Sequence, residues 1–141
     1  MVAPAGQAHS EPRQKLKLSN YLGTLEVDPD DAKALDEIRV IVATNDRDRL
    51  GDDPVRLLEM ARQGHEMRGE LATVAKLIEA ELGLVGEDRA LAGSLWKELG
   101  RLRADFLLDA DSALEAYAKA LEYKADDAEV LEAQKRLEQA E

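Results

Sequence analysis

A pattern set down at Tyr21 returns 96 residues later. Tyr21-Leu22, Leu25-Glu26, Asp30-Asp31-Ala32 and Leu35 recur in register as Tyr117-Ala118, Leu121-Glu122, Asp126-Asp127-Ala128 and Leu131. A weaker copy lies between them, where Val74, Ile78 and Leu82 keep the spacing of Ala113, Tyr117 and Leu121. Self-similarity of this kind marks supersecondary units that stack on one another, because one unit alone cannot bury its apolar face. The apolar positions in each copy lie three and four apart, the spacing of one helix face. Composition agrees with a helical unit: hydrophobic residues make up 45%, aromatics only 4%, and Ala, Leu and Glu dominate.

Local signals divide the chain into seven helices after a tail. Residues 1–12 hold Pro4, Gly6 and Pro12 among small and polar residues and read as a flexible N-terminal tail. The first helix starts near Gln14, presents Leu16, Leu18, Tyr21, Leu22 and Leu25, and stops before Asp28-Pro29. Asp30 or Asp31 caps the second, whose stripe is Ala34, Leu35, Ile38, Ile41 and Val42. A polar connector over 44–53 ends in Asp53-Pro54, a helix start with proline at the first helical position. The third helix runs to about Met67, before Arg68-Gly69, and the fourth carries Leu71, Val74, Leu77, Ile78 and Leu82 up to Gly86. The fifth is the longest, from about Glu87 to Leu108, with Leu91, Leu95, Trp96, Leu99, Leu102 and Phe106 in its stripe. Asp109 or Asp111 caps the sixth, Ser112 with Glu115 being a competing capping box. Asp126 or Asp127 starts the seventh, with Val130, Leu131 and Leu137 facing inwards.

Within this series Trp96, Leu99 and Gly100 share one helix, and Ala113, Tyr117 and Ala120 share the face of the next. Small residues permit close approach while Trp96 and Tyr117 fill the space around them. In this ordered set of six the chain resembles the tetratricopeptide repeat family, best over about residues 87–127. Arg103 stands where that family has an aromatic, and Ala125 replaces the proline that Pro29 keeps in the first copy. The resemblance implies an all-α fold over residues 13–141: a right-handed superhelical stack of antiparallel helix hairpins, an α-solenoid of about seven helices. The helix order is also that of a segment cut from a longer array.

By the same resemblance, a peptide or partner helix docks in the concave face. Carried over position by position, that face falls on Ser94, Lys97, Arg101, Ala104 and Asp105, then on Glu129, Glu132 and Arg136. Lys97 and Arg101 stand one turn apart, so together they can grip a carboxylate, or else pair locally on a solvated face. The implied function is a non-enzymatic scaffold for protein–protein contacts. Its rival is a structural spacer or self-assembling array, a homo-oligomer joined through its end faces.

Charge narrows the partners. With 30 acidic and 19 basic side chains the formal net charge is −11, which repels nucleic acid and suits a basic protein partner or plain solubility. Cysteine is absent from the sequence, which removes thiolate chemistry and cysteine metal sites. Of the two histidines, His9 lies in the tail, and His65 reads as a surface residue at a helix end. Asp46, Asp48 and Gly51 imitate part of a calcium loop, but Leu50 and Leu57 stand where oxygen ligands are needed and two arginines intervene. Without a phosphate loop or nucleophile motif, the expectation is no catalysis, no metal and no cofactor. No apolar run suits a signal peptide or a bilayer span, so a soluble, cytoplasmic protein without membrane contact is expected.

Overall fold

The computed structural model describes residues 16–139. The expected tail over 1–12, its His9 and the expected helix start at Gln14 lie outside them. All regular structure among the described residues is helical: α1 (Leu18–Val27), α2 (Ala32–Thr44), α3 (Arg47–Leu50), α4 (Pro54–Met67), α5 (Leu71–Leu82), α6 (Arg89–Asp105), α7 (Ala110–Tyr123) and α8 (Ala128–Gln139). That is one helix more than the seven expected. The extra one, α3, is a single turn inside the polar connector, started by Asp46 and pinned by Leu50 at 4% exposure.

Six of the helices start on an aspartate. Asp31, Asp46, Asp53, Asp88, Asp109 and Asp127 accept the first-turn amides of Ala34, Arg49, Arg56, Leu91, Ser112 and Val130 at 2.9–3.4 Å. Each satisfies an amide that has no partner within its helix and places negative charge at the positive end of the dipole. Part of the acidic surplus is therefore capping. Of the aspartates that imitate a calcium loop, Asp46 belongs to this set as the cap of α3, and Asp48 lies in the first turn of the same helix. Helix α6 is shorter than expected because Asp88 opens it and the chain turns over 106–109, with Leu108 at φ 55°.

Helices pair in chain order. α1 with α2, α4 with α5 and α6 with α7 pack against each other, and α8 packs on α7. The antiparallel sense is plain in the third pair. Arg89 at the start of α6 lies 4.7 Å over the ring of Tyr123 at the end of α7, while Arg103 near the end of α6 donates to the Ser112 carbonyl at 3.0 Å. The first pair lies against the second through α1 on α4 and α2 on α5, and α5 carries the main contact onward to α6.

The buried residues form three clusters in sequence order. The first joins α1 to α5 around Leu18, Leu25, Ile38, Ile41, Leu58 and Leu77. The second joins α5, α6 and α7 around Val74, Ile78, Leu95, Leu99 and Leu102. The third joins α7 and α8 around Ala113, Tyr117, Ala120 and Val130. Helix α5 links the first two by its opposite faces, Leu77 and Ala80 on one and Val74, Ala75 and Ile78 on the other. Trp96 is half-buried and touches both the second and third.

The 96-residue echo survives as backbone geometry. α1 ends at Val27 and α7 at Tyr123; α2 begins at Ala32 and α8 at Ala128. Asp28 donates its amide to the Thr24 carbonyl, as Lys124 does to that of Ala120. Side-chain surroundings differ more: Leu22 is buried where Ala118 is exposed, and Tyr21 packs in the first cluster with Arg49 6.0 Å from its ring. Three residues expected to face inwards are exposed. Leu16 precedes α1, Phe106 follows the last turn of α6, and Leu131 lies on the side of α8 away from α7, so none has a second helix to cover it.

Candidate functional site

Ser94, Lys97, Arg101, Asp105, Glu129, Glu132 and Arg136 all line one cleft of about 560 Å3 between α6 and α8. Residues 94, 97, 101 and 105 share a face of α6 because they repeat at helical spacing, and 129, 132 and 136 do the same on α8. Tyr117 of α7, Val130 and Ala133 give the cleft an apolar base. Ala104 is the exception among the expected positions. It is half-buried and packs on the third cluster instead. The motif residues Leu99, Gly100, Ala113, Tyr117 and Ala120 are buried and Trp96 half-buried, so they hold the cleft walls together from behind.

Lys97 does not offer a free ammonium. It bonds Asp127 Oδ2 at 3.1 Å and Glu129 Oε1 at 2.5 Å, so that α6 is tied to the start of α8. The Glu129 and Asp127 hydrogen bonds hold its proton affinity above the ordinary lysine value. Arg101 is paired with Glu98 on its own helix, with Nε 3.0 Å from Oε1. The two cations therefore do not converge on a vacant carboxylate site; each already has one. Asp105, Glu132 and Arg136 line the cleft and make no ion pair with another described residue. Burial and the nearby Asp105 push the Tyr117 phenol up, so its hydroxyl stays protonated at the base of the cleft.

The apolar floor and walls of mixed sign have the chemistry that suits a polypeptide segment. Among the described residues no three His, Asp or Glu side chains converge to hold a metal ion, and no helix is long and apolar enough to cross a membrane.

Sequence reasoning misplaced His65, which is fully buried. It continues the α4 stripe of Leu58 and Ala61 at seven and four residues' distance, and that spacing was the signal for it. Its Nδ1 lies 2.6 Å from Glu70, its Nε2 lies 3.6 Å from Glu26, and Arg68 bridges the same two carboxylates at 3.1 and 3.2 Å. A second pair, Arg62 with the buried Glu81, joins α4 to α5. Another cleft, about 480 Å3, runs between α2 and α5 over Leu35, Ile38, Val42, Leu77 and Ala80. Its walls come from helices far apart in sequence, so no local motif announces it. Compared with known protein families, curated proteins and solved structures, the chain has no match in any of the three.

Proposed function

We propose that the chain is a non-enzymatic interaction scaffold, built as a tetratricopeptide-like, right-handed superhelical stack of antiparallel hairpins, that holds a peptide or partner helix between α6 and α8. The observation that carries this reading is the cleft itself. Seven positions singled out by a recognition pattern meet there over an apolar floor. The serial core clusters support the stacked architecture, since each hairpin is buried mainly against its chain neighbours. A formal net charge of −11 makes a protein partner with basic groups the better guest and nucleic acid a poor one.

Selection of peptides from a random phage library on the immobilised protein tests the reading. Selected peptides should lose roughly tenfold or more in affinity when Glu132→Lys and Arg136→Glu are combined, and keep it with Lys119→Glu on exposed α7 surface. Peptides indifferent to the cleft pair would refute it. The rival, a self-assembling spacer, draws on Leu131, which is 46% exposed on the outer side of α8. Sedimentation separates the two, since a scaffold stays monomeric at high concentration and an array gives a ladder of sizes.

A further inference from the structure

The turns that close the three hairpins make one edge of the molecule, and that edge is greasy. Pro29 and Asp30 of the first turn, Gly69 and Glu70 of the second, and Phe106 of the third line a single shallow cleft. The first two turns are held to each other: Thr73 Oγ1 donates to the Pro29 carbonyl at 2.8 Å, and Arg68 bridges Glu26 and Glu70. Each turn carries large apolar side chains into water. Val27 is 88% exposed, Met67 89%, Phe106 51% and Leu108 81%. In the turns at the other end no large apolar side chain is exposed: Asn45-Asp46, Asp52-Asp53 and Asp126-Asp127 are polar, and Leu84 and Val85 of the α5–α6 turn pack against the core.

Leu108 adds a second, independent sign. At φ 55° it occupies the left-handed region, which glycine or asparagine adopts readily and a leucine does not. The turn lets the Asp109 amide reach the Arg103 carbonyl at 2.8 Å, but nothing in that bond calls for a leucine. Strain of this kind gathers at binding surfaces.

The charge around the edge selects the occupant. Arg68, Arg101 and Arg103 each pair with a glutamate, whereas Asp28, Asp30, Glu66, Asp105 and Asp111 make no ion pair with a described residue. The unbalanced sign is negative, so a second copy of this chain, an anionic lipid surface and nucleic acid are all repelled. We propose that the edge formed by the turns at 28–31, 68–70 and 106–109 docks a basic amphipathic segment of another protein. Its apolar face covers Met67, Phe106 and Leu108, and its lysines or arginines meet the surrounding carboxylates. The two surfaces meet at the end of α6, where Arg101 of the α6–α8 cleft stands 5.4 Å from the Phe106 ring, but Met67 and Leu108 do not line that cleft.

Fluorescence anisotropy of the full chain with two synthetic amphipathic peptides tests the proposal. They share one leucine pattern, with lysines in the first and glutamates in the second. The leucine–lysine peptide should bind and the leucine–glutamate peptide should not. Combining Met67→Ser, Phe106→Ser and Leu108→Asn should weaken binding roughly tenfold or more, since asparagine keeps the left-handed turn while the apolar face is lost. Circular dichroism confirms that the variant is folded. Arg136→Ala, in the α6–α8 cleft, should leave the affinity unchanged. The proposal is overturned by equal binding to wild type and triple variant, by equal binding of both peptides, or by a loss with Arg136→Ala as large as that of the triple variant. It is equally overturned if the wild type sediments as a dimer that the triple variant dissolves, or binds neutral phosphatidylcholine vesicles in the peptide's place.

Discussion

Gly100 in α6 lies flat against the ring of Tyr117 in α7, so that a Cβ at Gly100 would stand 2.7 Å from both Cδ1 and Cε1. That approach sets the spacing of the third hairpin, and Tyr117 in turn forms the floor of the cleft. Gly100→Ala should therefore destabilise the fold by about 1–3 kcal/mol, as overpacking does, although alanine is the better helix former. Thermal unfolding checks the sign. A rise in Tm would mean that the ring moves aside freely.

Trp96 joins two cores and should be felt by both. It touches the second and third clusters while remaining half-buried, so Trp96→Ala should cost about 3 kcal/mol, the lower end for a large aromatic. Urea denaturation measures it. A variant of unchanged stability that no longer binds peptide would make the indole a contact residue instead.

Arg62 and Glu81 form a pair in which the carboxylate is buried and the guanidinium partly so, with side chains 1% and 14% exposed. Burial pushes the Glu81 carboxyl above the usual carboxylate range against the pull of Arg62. Arg62→Met removes the pull and leaves a buried charge, so it should cost about 3–5 kcal/mol at neutral pH. The folded variant then holds the Glu81 proton to higher pH than the unfolded chain does. Stability that protonation contributes is present at low pH and lost as pH rises through the folded value, so the penalty should shrink as the solution is acidified below neutrality. A penalty independent of pH would place Glu81 in contact with water.

The echoed caps offer a matched comparison. Asp31→Ala and Asp127→Ala should each cost about 1 kcal/mol, because each carboxylate holds the amide three residues on. Burial works to raise the Asp127 carboxyl, but the Lys97 ammonium and the Val130 amide outweigh it and hold it below the ordinary value. Its contribution is therefore present at neutral pH and is lost as pH falls through that depressed value. Denaturation at several pH values checks both; an Asp127→Ala variant with wild-type stability would remove the cap from the account.

Helix starts were legible because their chemistry is local. An aspartate before an apolar stripe, or Asp53 before Pro54, solves the problem of unpaired first-turn amides within a few residues, and the structure uses Asp31, Asp53, Asp109 and Asp127 in that way. The positions carried over from the tetratricopeptide resemblance line one cleft, all but Ala104. What escaped was long-range. His65 follows the Leu58 and Ala61 stripe, but the Glu26 carboxylate beside its Nε2 arrives from α1, and nothing near residue 65 announces it. The pairing of Lys97 with Glu129 depends on how α8 folds back, 32 residues on. Phe106 looked internal because its stripe continues past the point where the backbone turns.

Amide hydrogen exchange of the full chain, with and without a selected peptide, tests the central claim most directly. The account predicts added protection at 94–105 and 128–136, the two walls of the cleft, and little elsewhere. Protection confined to α1–α4, or no change on these two walls under saturating peptide, would contradict it.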